Sequence, residues 1–238
     1  MIASLHKFLT TLREQGWWVQ IAFTFIGAAL WGFAEIADEV ADGETHAFDR
    51  AVLLAMRQEG RPEIPLGPPE LAYVARDITA LGGATTLVML TLAAIGYLAM
   101  RRKFGAALFV FASVLGGTLL SSLLKVMFER SRPDVVPHLM EATSASFPSG
   151  HSMLAMVVYL TLGAVLAEVH AERRFKVYIL GWAIFLSLLV GWSRVYLGVH
   201  WPTDVLGGWC LGSAWALGCA CVALWLQRRG MMEPARTP

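Results

Sequence analysis

Charge is scarce in this sequence. Lys, Arg, Asp and Glu make up 16% of its 238 residues, against roughly 25% in soluble globular domains. The apolar share is 56%, which leaves too few polar side chains to cover a water-soluble surface and points to a membrane protein. Neither sign of charge is in excess. With a formal net charge of +1, the chain lacks the concentrated basic surface that displaces counterions from phosphates, so a nucleic-acid partner is excluded. Cysteine is also sparse. Cys210, Cys219 and Cys221 share one apolar segment, with neither the even count of a disulfide framework nor zinc-site spacing, and read as small packing residues. No internal repeat is visible.

Long apolar runs are abundant. A membrane-crossing helix needs roughly 20 such residues, and six stretches qualify or nearly so: Trp17–Ala37, Thr79–Ala99, Gly105–Lys125, His151–Ala167, Val177–Ser193 and Val205–Leu226. This predicts an all-α integral membrane bundle of six transmembrane helices, one domain over residues 1–238. The first run, about 18 residues before Glu35, exceeds the ~7 to 15-residue core of a signal peptide. The fourth and fifth runs are short and end in polar residues, which suggests a site sunk below the membrane surface.

Short-loop Lys and Arg set direction, because they resist translocation. Lys7 and Arg13, then Arg101, Arg102 and Lys103, then Arg173, Arg174 and Lys176, then Arg228 and Arg229 all fall on one side if the spans alternate. That side is expected to be cytoplasmic, with both termini inside. In the long connection 38–77, Phe48, Ala51, Val52, Ala55 and Met56 recur at helical spacing, with Asp49, Arg50 and Arg57 on other faces. The pattern predicts a short interfacial helix on the outer leaflet, followed by "RPEIPLGPPE" as an extended, proline-stiffened link. Asp77 or Thr79 is expected to cap the second span. Gly208 and Gly212 have the spacing that lets helices approach closely.

Three polar clusters interrupt the apolar pattern, all at the outer end. "KVMFERSRP" carries Lys125 and Arg132, "PSGH" opens the fourth span, and "SRVYLGVHWPTD" joins the fifth to the sixth. In the second, Ser149 is a good N-cap, and Gly150 opens the backbone of a helix start whose free amides suit an anion. Alone, it is equally a capped helix start. In the third, His200 and Asp204 are four apart and on a helical turn would share a face, so the carboxylate can orient the imidazole. With His151 the pair offers a metal-binding set, or it is an interfacial ion pair. The neighbours favour an anion: Lys125, Arg132 and Arg194 around one pocket repel a divalent cation and suit a phosphate. Arg130, beside Glu129, reads as a member of a surface ion pair.

In order, the clusters read Lys-x6-Arg-Pro, Pro-Ser-Gly-His and Ser-Arg-x5-His-x3-Asp, eleven positions between Lys125 and Asp204. This resembles the type 2 phosphatidic acid phosphatase and vanadium haloperoxidase superfamily, in its membrane-bound bacterial lipid phosphatase branch. The resemblance implies that His200 attacks phosphorus to form a phosphohistidine, Asp204 orients it, and His151 protonates the leaving alkoxide. Lys125, Arg132, Arg194, Ser149 and Gly150 would hold the phosphoryl oxygens. It implies no metal and no cofactor, a location in the bacterial cytoplasmic membrane with the site outside, and a lipid phosphate as substrate. Candidates are undecaprenyl diphosphate, phosphatidic acid and phosphatidylglycerol phosphate, with lipid A phosphates behind them. A neutral His200 and a protonated His151 predict a bell-shaped pH profile. The alternatives are phosphoryl transfer to a second lipid and a non-enzymatic headgroup-binding or transport protein. No obligate protein partner is evident.

Overall fold

A computed structural model describes residues 17–142 and 144–233. Eight helices lie among these residues: α1 (Trp17–Asp42), α2 (His46–Ala55), α3 (Glu70–Leu81), α4 (Ala84–Met100), α5 (Phe104–Phe128), α6 (Gly150–Val169), α7 (Arg173–Tyr196) and α8 (Pro202–Arg228). Two short strands, β1 (Arg57–Gln58) and β2 (Arg61–Pro65), pair antiparallel after α2.

Five of the helices are long and apolar enough to cross a membrane, and a sixth crossing results if α3 and α4 act together across a 41° bend. The expected second span is therefore not one straight helix from Thr79. It breaks at Gly82 and Gly83, of which Gly83 takes extended angles as the N-cap of α4. The Tyr159 hydroxyl donates to the Leu81 carbonyl at 2.8 Å, satisfying one of the acceptors that a helix end leaves open. Thr79 lies inside α3 and Asp77 two residues before it, so neither caps the span. The fourth and fifth spans are not short, since α6 has 20 residues and α7 has 24. Their length gives no support for a sunken site.

Helix α6 packs against α5, α7 and α8, α1 lies against α8, and α3 lies against α7. The outward face of α5 shows why a bundle of this composition needs an apolar solvent: Leu108, Phe111, Leu115, Leu119 and Leu123 form an exposed stripe at helical spacing. Glycine brings α8 against α6. A Cβ at Gly208 would stand 2.9 Å from the Ser149 carbonyl oxygen, and one at Gly212 would stand 2.6 Å from that of Met153.

Helix α2 forms where the amphipathic pattern places it, but its inward face differs from the expected one. Asp49 and Leu53 are buried while Phe48 is exposed. Leu53 joins Val136, Val195, Trp201 and Val205 in a core cluster, so the helix is docked on the bundle. The link beginning at Arg61 is strand β2 rather than free extended chain. Arg57 of β1 donates to the Tyr196 carbonyl at 3.1 Å, tying the hairpin to the end of α7. Lys7 and Arg13 lie outside the described residues. The other basic clusters fall at the α4–α5 turn, the α6–α7 turn and the end of α8, opposite the helix ends that carry the three polar motifs.

Candidate active site

The motif residues sit at four helix ends that meet. Lys125 is in the last turn of α5, Ser149 caps α6, His151 is in its first turn, Arg194 is in the last turn of α7 and Asp204 is in the first turn of α8. The chain between α5 and α6 adds Arg132, and that between α7 and α8 adds His200.

His200 and Asp204 do pair, with 3.3 Å between Nδ1 and Oδ2, but not because they share a helical face. His200 precedes the helix and Trp201 is its N-cap. Asp204, the third helical residue, reaches back to accept the Trp201 amide at 2.8 Å, and that capping contact carries its carboxylate to the imidazole. Pro202 at the first helical position suits this start. Ser146 donates to the same carboxylate oxygen and lies 3.3 Å from His200 Nδ1. Asp204 therefore accepts the Nδ1 N–H, which makes Nε2 the lone-pair nitrogen, turned to the Arg132 guanidinium in a long hydrogen bond of 3.4 Å. His200 is 1% exposed. Burial pushes it down to about 4, against the pull of Asp204 and aided by Arg194 and Arg132.

Around this pair stand cations that find only neutral partners. Lys125 Nζ donates to the Ser144 hydroxyl at 2.9 Å and the Ala145 carbonyl at 3.0 Å. Arg132 donates to the carbonyls of Ser144 and Val199, and burial lowers its affinity for its proton. Arg194, 2% exposed, donates to the Thr79 hydroxyl at 3.1 Å and to the Met140 sulfur, and its Nε has no partner among the described residues. None of the three forms an ion pair there. His151 lies within electrostatic reach of Arg194, His200, Lys125 and Arg132. The structure thus gathers every motif residue at one place.

Ser149 behaves as the expected N-cap. Its hydroxyl accepts from the Ser152 amide at 3.4 Å and the Ser152 hydroxyl at 2.9 Å, which leaves its own proton to donate. Its amide donates to the Asp204 carbonyl at 3.0 Å, coupling the α6 start to the α8 start. The amides of Gly150 and His151 follow in the first turn, where a helix leaves N–H groups without an intrahelical acceptor. Gly150 also faces Lys125, whose Cε would be 3.5 Å from a Cβ there. No group of three His, Cys, Asp or Glu side chains among the described residues is placed to hold a metal ion, so His151, His200 and Asp204 do not form the ligand set that composition left open.

Sequence reasoning missed four participants. Arg130 is not a surface residue: its side chain is 8% exposed and bridges Asp204 at 2.6 Å and Asp49 at 2.7 Å. Ser146, Thr79 and Asp49 are buried beside it or the motif residues. The one available clue was Arg130 itself, an arginine two places from a motif arginine in a chain that carries little charge.

The PAP2 superfamily profile matches residues 106–228. The chain is 40% identical over 148 residues to phosphatidylglycerophosphatase B of Bacillus subtilis (strain 168), covering 60% of this chain and 71% of that protein. It is 40% identical over 120 residues to an undecaprenyl-diphosphatase of Sulfolobus acidocaldarius, covering 47% of this chain and 52% of that one. The crystal structure of the PAP2-type phosphatidylglycerolphosphate phosphatase from Bacillus subtilis superposes with a TM-score of 0.76 at 31% identity, over 85% of this chain and 98% of that one. The matched family region spans the elements that carry the three motifs, and the chain belongs to the PAP2 superfamily as an integral membrane lipid phosphatase.

Proposed function

We propose that the chain removes phosphate from phosphatidylglycerol phosphate at the outer face of a bacterial cytoplasmic membrane, without a metal, through a phosphohistidine on His200. One observation carries the reading: Lys125, Arg132 and Arg194 converge on His200 with no carboxylate paired to any of them among the described residues. Arg194 is buried and Lys125 and Arg132 are half-buried; cations so placed are costly without a counter-charge, and a phosphoryl dianion supplies it.

The substrate's phosphoryl oxygens take donors from Lys125, Arg132, Arg194, the Ser149 hydroxyl and the Gly150 amide. His200 Nε2 attacks phosphorus while the phosphorus–oxygen bond to the glycerol breaks, and His151 gives its proton to the departing oxygen. Asp204 balances the charge that the His200 ring acquires. Water then attacks the phosphohistidine, His151 takes its proton, and inorganic phosphate leaves.

The six-crossing arrangement, with α3 and α4 together as one bent crossing, puts all the described basic turns on the cytoplasmic side, as translocation favours. In this frame α2 and the hairpin lie at the outer interface. The choice of headgroup follows from the Bacillus subtilis relative and its solved structure. Phosphate release from a panel of phosphatidylglycerol phosphate, phosphatidic acid and undecaprenyl diphosphate, in detergent with a chelator, tests it. Turnover that depends on added metal, or a preference for the diphosphate, would overturn the corresponding part.

A further inference from the structure

Asp49 lies outside every motif and outside the matched family region, yet it is wholly buried in the network that holds Asp204. Arg130 divides its guanidinium between two carboxylates: one terminal nitrogen donates to Asp204 at 2.6 Å and Thr203 at 2.8 Å, the other to Asp49 at 2.7 Å and Thr45 at 2.7 Å. Asp49 also accepts the Thr203 amide at 2.9 Å and its hydroxyl at 2.7 Å. Four side chains, from the start of α2 and the first turn of α8, are thereby fixed around one cation of the α5–α6 connection.

Charge bookkeeping shows what this is for. Asp204 with Arg130 alone is a neutral pair, which offers little to a ring that becomes positive when its nitrogen bonds to phosphorus. With Asp49 included, two carboxylates and one guanidinium leave a single negative charge beside His200.

We infer that Asp49 is a positioning residue for the phosphatase reaction, neutralising Arg130 so that the charge of Asp204 remains available to His200. The inference rests on His200 being the nucleophile. Removing the Asp49 charge makes the pocket more positive, so substrate anions bind as well or better while phosphoryl transfer slows. A residue that only supported the fold would not divide its effect in this way. The same change disfavours the imidazolium of His200, which is faced by Asp204 from α8, Arg132 from the α5–α6 connection, Arg194 from α7 and His151 from α6, with Lys125 of α5 beyond them beside His151 and Asp204.

The test measures kcat and KM from pH 4 to 8 on a phosphorylated lipid, using the full chain in detergent. Asp49→Asn is expected to lower kcat about tenfold, within the range of coupling inside one hydrogen-bonded network. KM should be equal or lower, and the acid limb of the profile should move to lower pH. Asp49→Glu should recover part of the loss. The double variant Asp49→Asn with Arg130→Gln removes one charge of each sign, so its acid limb should return toward that of the wild type. Equal kcat in Asp49→Asn and wild type overturns the inference, as does a fall in kcat with an unmoved acid limb in both variants. If Asp49→Asn does not fold, Arg130→Gln against the double variant decides: the acid limb should lie at higher pH in Arg130→Gln, and equal limbs overturn the inference. Residual phosphatase activity in His200→Ala would instead remove the reading on which the inference rests, whatever Asp49 does.

Discussion

Arg130 and Arg132 stand two residues apart on one connection and meet opposite surroundings. Arg130 is locked between two carboxylates, so its own charge is more than answered by the protein. Arg132, with Lys125 and Arg194, finds only uncharged groups: hydroxyls, carbonyls, a sulfur and the Nε2 of His200. The first half of the site is finished before substrate arrives; the second half is electrostatically complete only with an anion in it. Under the proposed function, catalytic geometry and substrate affinity fall to different arginines, and variants on each side should fail in different ways.

The largest failure should come from the finished half. His200→Ala removes the covalent route, and a loss of at least about 1,000-fold in phosphate release is expected, with no acid-labile label on the protein after quenching with a radiolabelled phospholipid. His151→Ala should cost roughly 100- to 10,000-fold in kcat on lipid substrates. An aryl phosphate, whose leaving group needs no proton, should recover most of that loss; equal losses on both substrates would show that His151 is not the acid. On the open half, Arg194→Gln or Lys125→Ala removes charge-assisted bonds of about 1.5 to 3 kcal/mol each, or roughly 10- to 150-fold in kcat/KM. Inhibition by inorganic phosphate should weaken in step.

The smallest effect concerns stability. His200 titrates near 4 in the folded chain, below the ordinary value of 6.5. The unfolded chain therefore binds the extra proton first as pH falls, and stability declines between about 6.5 and 4. Between pH 7 and 4.5 the melting temperature of the wild type should drop further than that of His200→Gln. Equal drops would mean that the buried ring does not contribute.

The open half of this site was legible in the sequence, and the finished half was only partly so. Lys125, Arg132 and Arg194, and with them His151 of the other half, announce themselves because each is a charge or imidazole at or just beyond the end of an apolar run, where solvation alone does not explain it. The pairing of His200 with Asp204 was anticipated on the wrong ground, since helical periodicity does not describe a residue placed before the N-cap. Asp49 was unreadable for a different reason. On an amphipathic pattern a carboxylate is assigned to water, and only the distant guanidinium of Arg130, 81 residues along the chain, turns that face inward. The bend at Gly82 and Gly83 was hidden too, because hydropathy counts apolar residues without registering that two adjacent glycines release the helix.

The glycines of α8 bear on the distance between the two imidazoles. His151 rides on the first turn of α6 and His200 sits at the entrance to α8, so their separation follows the thickness of the seam where Gly208 and Gly212 admit the backbone of Ser149 and Met153. A methyl group inserted there would act as a shim, parting the proposed acid from the proposed nucleophile without touching either. On the proposed mechanism the reach of a proton is gauged by two missing side chains.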